Sequence, residues 1–178
     1  MYVAGTRGTG KSRLIHALTE FFSHRGQSWR LHCASYTGVA ARNINGTTLH
    51  SALQLSARKR SAKATNELIS MWQGVDYLLI DEVSMISTTL LAEISESLSI
   101  AKGCTGAFRG INVIFAGNVM QLPPVGQTRL YSHINTAHIT STAGQASALG
   151  KLLWLLINCM IMLTEVMCQE GDKNIEYR

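Results

Sequence analysis

Three short stretches of this sequence combine residue types that do phosphate chemistry. The first is GTRGTGKS, which brings Gly5, Gly8, Thr9, Gly10, Lys11 and Ser12 together. Glycines tolerate positive φ and carry no Cβ, so successive backbone N–H groups can ring a phosphate. A helical pattern follows directly, and its positive N-terminal end would face the same anion. Lys11 can then reach the outer phosphates of a nucleotide, and the Ser12 hydroxyl suits Mg²⁺. Arg7 is a bulky cation inside the loop, with two open readings: solvent, or a further phosphate contact.

The second stretch, YLLIDEVSM, is an apolar run that delivers Asp81 and Glu82. An acid at the end of a strand opposite a phosphate loop holds Mg²⁺, usually through water. A second carboxylate one residue on can take the proton of an attacking water. Adjacent residues at a strand end point different ways, which suits two jobs. The bland alternative is an acidic cap on the next helix. The pair GKS and LLIDE favours a nucleotide hydrolase over a small-molecule kinase, because no Arg-rich lid is present. The third stretch is FAGNVMQLPPVG. Pro123 and Pro124 exclude regular structure and make a rigid loop. Gln121 then stands where an amide can sense the terminal phosphate.

These residues need strands and helices to hold them. MYVA reads as a strand stub. Residues 11–23 read as a helix with Leu14, Ile15, Leu18, Phe21 and Phe22 on one face. WRLHCA is a second strand. GVAARNI and TLHSALQL give short helical pieces around the turn signal NGTT. SARKRSAKA is a basic exposed loop, in which Arg58, Lys59, Arg60 and Lys63 either track a nucleic-acid backbone or are simply solvated. TNELISMW reads as a helix, YLLIDE as a strand, 88–101 as a helix and INVIFAG as a strand. Between 126 and 148 periodicity is weak. LLWLLINCMIML reads as the end of a buried helix and then a buried strand, and is too short to span a bilayer; Met160, Met162 and Met167 read as buried strand. Trp29, Trp72 and Trp154 read as core. Alternating strands and helices with near-continuous apolar strands predict an α/β fold with a parallel sheet covered on both faces. Ligands bind at the carboxyl ends of such strands, where the suggestive residues fall.

Bulk properties agree. The 178 residues suit one domain, and 46% hydrophobic content supports a core. A net charge of +5 mildly favours a polyanionic partner. Cys33, Cys104, Cys159 and Cys168 include no C-x-x-C pair, so free thiols in a reducing compartment are expected. No secretory signal or membrane partner is expected.

As a set, GTGKS, ASYTGVAARNINGTTLHSAL, LLIDEVSMIS, GNVMQLPPV and LTEVMCQ resemble, in order, the PIF (petite integration frequency) helicases. These are superfamily-one DNA helicases that move 5′ to 3′; the likeness is closest to fungal copies, including the helicase domains of Helitron transposons. The resemblance covers nearly the whole chain. It implies a RecA-like P-loop NTPase, the first motor domain of a helicase, with ATP and Mg²⁺ as fuel and single-stranded DNA as track. It also implies roles in repair, recombination and telomere maintenance, in the nucleus or mitochondrion. By position, Gly8, Gly10, Lys11 and Ser12 match the family's phosphate loop, and Asp81 and Glu82 its metal-binding acid and catalytic base. Gln121 matches the glutamine that links the γ-phosphate to DNA. Thr37, Gly38, Thr48 and His50 fall in the strand-binding motifs, and Gln169 in the last nucleotide motif.

The sequence departs from the family pattern at three places. Asn118 stands where the family has aspartate, and Cys168 where it has an arginine that contacts the γ-phosphate. The second motor domain and the adenine-reading segment before the first strand are expected to be missing. Two rival functions stay open at this point: a degenerate module that binds nucleotide or DNA without useful turnover, and a P-loop ATPase that works on protein.

Overall fold

The computed structural model describes residues 1–55, 61–104, 106–133 and 139–167. The basic cluster at Arg58, Lys59 and Arg60 and the pair Cys168–Gln169 lie outside the described residues. The chain order is β1 (Tyr2–Gly5), α1 (Lys11–His24), β2 (Leu31–Ser35), α2 (Gly38–Asn43), β3 (Thr47–Thr48), α3 (Leu49–Leu53), α4 (Ala62–Met71), β4 (Tyr77–Asp81), α5 (Thr88–Lys102), β5 (Asn112–Gly117), α6 (Thr142–Leu155) and β6 (Met160–Leu163). The strands form one sheet in the order β3-β2-β4-β5-β1-β6, and every pairing is parallel. This is the expected α/β, RecA-like parallel sheet.

Side-chain alternation explains why both faces are covered. Leu78 and Ile80 of β4 enter the core beneath α4, α5 and α6, with Leu68, Trp72, Leu91, Leu98 and Phe115. Leu79 points the other way, into a smaller core with Val3, Ile15, Ile44 and Ile114. Full burial of such a side chain is worth about 1.5–3 kcal/mol, so the two cores fix the sheet. Hydroxyl residues start five helices. Thr37, Thr48, Ser61, Ser87 and Ser141 each accept a backbone N–H three residues on, which satisfies a donor the helix cannot. Gly103, at φ 61, ends α5 in the left-handed region.

Some sequence expectations are corrected. The strand LHCAS starts two residues later than WRLHCA, because Ser28–Arg30 close a 3₁₀ turn. Helix α4 begins at Ala62, inside the expected loop, because Ser61 caps it. Helix α6 begins at Thr142 despite its small residues, because Ser141 caps it and Gly150 lets it lie against α5. Phe21 is exposed, and Trp29 is 63% exposed against Gly74 instead of in the core. Strand β6 is not buried: it is an edge strand of the sheet, with Met160 57% and Met162 62% exposed, and Met167 is exposed after it. An apolar run does not distinguish an inner strand from an edge strand. Trp72 and Trp154 do pack in the core. Among the described residues, no helix is long and apolar enough to cross a membrane, and Cys33, Cys104 and Cys159 are free.

Candidate nucleotide site

The carboxyl ends of β1, β2, β4 and β5 open into one cleft of about 1510 Å³. Gly8, Thr9, Gly10, Lys11 and Ser12 line it, with Thr37, Asp81, Glu82 and Gln121. The loop after β1 owes its shape to local chemistry. Gly8 and Gly10 sit at φ 84 and 86, a region that disfavours a Cβ. A Cβ at Gly10 would meet nothing within 4 Å, so backbone conformation and not space requires glycine there. Thr9 is buried, and its hydroxyl donates to Thr6 O at 2.8 Å. Lys11 Nζ donates to Gly5 O and Thr6 O, both at 2.7 Å. Gly5 therefore serves the site through its carbonyl, behind the cleft lining. Arg7 is exposed and also lines the cleft.

The acid pair faces this loop. Asp81 is only 8% exposed, at the last position of β4. Burial pushes its carboxyl above the usual range, while the Glu82 N–H and the Lys11 ammonium pull less strongly the other way. Burial also raises Glu82, helped by the charge on Asp81 and opposed by Lys11. Among the described residues the only ion pair is Arg30–Asp76, so neither carboxylate has a salt-bridge partner. A buried acid without a paired cation, in the same cleft as Ser12, fits Mg²⁺. That ion takes one or two carboxylates and leaves its other positions to water and substrate phosphates. Glu82 adopts φ 57, ψ 47, a left-handed turn that swings it off the line of β4. The turn lies close to β5 because Gly117, at φ 139, has no side chain: a Cβ there would stand 3.0 Å from Val83 N.

Gln121 reaches the cleft through a tight turn. Its N–H donates to Asn118 O at 3.0 Å, and Met120 N–H donates to Asn118 Oδ1 at 3.0 Å. Asparagine thus supplies the turn-closing acceptor that an aspartate would, without its charge.

The four expected strand-binding residues flank the carboxyl ends of β2 and β3, where Ser35 pairs with Thr48. Thr37 lines the nucleotide cleft and caps α2. His50 lines a separate polar cleft of about 130 Å³ and faces the Tyr36 ring at 6.0 Å. Thr48 caps α3, and Gly38 is the exposed first residue of α2; neither lines a cleft described here. Sequence reasoning missed Ser35, whose buried hydroxyl donates to Asp81 O at 3.2 Å. It also missed Met167, whose N–H donates to Gly8 O at 2.9 Å and so ties the chain after β6 to the phosphate loop. Only strand order brings these together.

The comparisons with known proteins agree with the fold. A family model described as PIF1-like helicase matches residues 1–177. The ATP-dependent DNA helicase PIF1 of Xenopus laevis is 31% identical over 133 residues, 71% of this chain and 20% of that protein. The chain therefore spans about a fifth of that relative's length. The crystal structure of Pif1 helicase from Candida albicans superposes with a TM-score of 0.69 at 25% identity, over 97% of this chain and 37% of that one. Pif1 from Bacteroides, in complex with ADP-AlF3 and single-stranded DNA, gives a TM-score of 0.58 at 29% identity, over 71% of this chain and 30% of that one.

Proposed function

Since this chain belongs to the PIF1-like helicase family, we propose that it is the first motor domain of an ATP-dependent DNA helicase, one domain across residues 1–178. The observation that carries this reading is the single cleft that gathers Lys11, Ser12, Asp81, Glu82 and Gln121. Gly8, Thr9 and Gly10 ring the phosphates of ATP with backbone N–H groups, and Lys11 exchanges its two carbonyl partners for phosphate oxygens. Ser12 and Asp81 hold Mg²⁺, which when bound neutralises charge on the phosphates. Glu82 takes the proton of the attacking water, for which a raised carboxyl is well matched. Gln121 carries the state of the γ-phosphate toward the strand, and Gln169 adds a nucleotide contact. Thr37, Gly38, Thr48 and His50 hold single-stranded DNA, the ligand carried by the Bacteroides relative.

Polarity 5′ to 3′, work in repair, recombination and telomere maintenance, and residence in the nucleus or mitochondrion belong to the same proposal and rest on family likeness. The test is steady-state ATP hydrolysis with and without single-stranded DNA, beside Lys11→Ala. DNA-stimulated turnover lost in Lys11→Ala is expected; turnover that survives Lys11→Ala would refute the site. Unwinding needs two motor domains that close on ATP, so the chain alone is not expected to displace a duplex strand in a fluorescence displacement assay. Asn118 and Cys168 motivate the second reading, a binding module without useful turnover. Under it, no hydrolysis is seen in either condition while nucleotide still binds.

A further inference from the structure

Away from the nucleotide cleft, α5 and α6 border a second hollow of about 450 Å³, inside the common range for small-ligand sites, about 300–1,000 Å³. Lys151 lines it and is 8% exposed. Among the described residues its Nζ has no hydrogen-bond partner. An ammonium buried without an acceptor opposes folding, and burial pushes this one below the usual lysine range. The walls supply no counter-charge: none of the described lining residues is Asp or Glu. They supply polar groups: the hydroxyls of Thr88 and Ser147 meet at 2.7 Å, and His133 stands on the same walls. Helix α6, 14 residues long, runs along this hollow from its cap at Ser141 to Lys151.

A buried lysine beside hydroxyls, with no acid among the described lining residues, lacks only an anion. We infer that this hollow is a second anion site, distinct from the phosphate loop, which takes one phosphate group. Two sources share that chemistry. The hollow shares Thr89 and Gln127 with the small cleft at His50, which puts the backbone phosphate of a nucleic-acid strand within reach. The other source is a free phosphoester. The inference stands on the hollow alone and does not depend on the helicase reading.

The test uses the full chain with Lys11→Ala, so that the phosphate loop contributes little anion affinity. Two further variants are made on it. Lys151→Met keeps the length and removes the charge. Ala143→Glu adds a carboxylate to the wall, in the first turn of α6 where an acid helps the helix fold. Anisotropy of a labelled oligothymidine is read over a salt series, and thermal shift is read with inorganic phosphate. The expected result is a loss of about tenfold in affinity, the scale of one hydrogen bond to a charged group. The log–log salt slope should fall by about 0.7 in Lys151→Met, one phosphate on a single strand. A loss with the oligonucleotide assigns the site to a strand. A loss of the phosphate-induced shift alone assigns it to a free phosphoester. Variants that match their parent in both assays overturn the inference. A parent that does not bind the oligonucleotide sinks the helicase reading instead, and the phosphate arm then decides the hollow by itself.

Discussion

At the residue scale, the acid pair sets function against stability. Asp81 is held above its ordinary range chiefly by burial, so its charge opposes folding at neutral pH. A carboxyl raised in the folded state contributes stability below its unfolded pKa and loses it as pH rises through the folded one. Asp81→Asn is therefore expected to melt higher than the parent at pH 7.5, with the gap closing as pH falls through the carboxylate range. Each kcal/mol appears as roughly 2–4 °C in a chain of this size. A melting gap that stays constant as pH falls would contradict this. The same variant is expected to lose ATP hydrolysis. Lys11, Asp81 and Glu82 were legible in the sequence because their spacing and flanking strands carry the chemistry. Ser35 and Met167 were not, because a hydroxyl or a backbone N–H acquires its role only from the strand beside it.

At the element scale, close helix packing rests on one atom that is absent. A Cβ at Gly150 would lie 1.7 Å from Thr88 O, a backbone atom that cannot swing aside. Alanine is the better helix former by up to about 1 kcal/mol, but forcing α5 and α6 apart costs about 1–3 kcal/mol or more. Sterics win, and Gly150→Ala is expected to destabilise the fold in urea denaturation; a more stable variant would show that the helices separate freely. The sequence marked the long helices and inner strands well, since their periodicity comes from two buried faces. It marked α6 poorly. Its small residues carry little periodic signal, and their reason is the contact with α5, which no local pattern contains. Likewise β3 spans only Thr47–Thr48 and exists through pairing with β2.

At the scale of the whole molecule, the sheet ends in two edge strands, β3 and β6. Its β6 edge presents Met160, Ile161 and Met162 partly to solvent, and among the described residues β6 pairs with β1 alone; an open edge templates association. Met162→Lys is expected to reduce concentration-dependent light scattering while leaving the melting temperature nearly unchanged; equal scattering would place self-association elsewhere. The sequence could not reveal this side, since an edge strand and an inner strand share one apolar spelling and differ only in their neighbours. The methionines there have a practical consequence. Thioethers open to solvent are oxidised by peroxide to sulfoxides, and buried ones are shielded. Met160 and Met162 thus form a native chemical footprint, with exposed Met71 on α4 as the internal reference. Whatever completes the sheet will silence the first two in a peptide mass map and leave the third reactive.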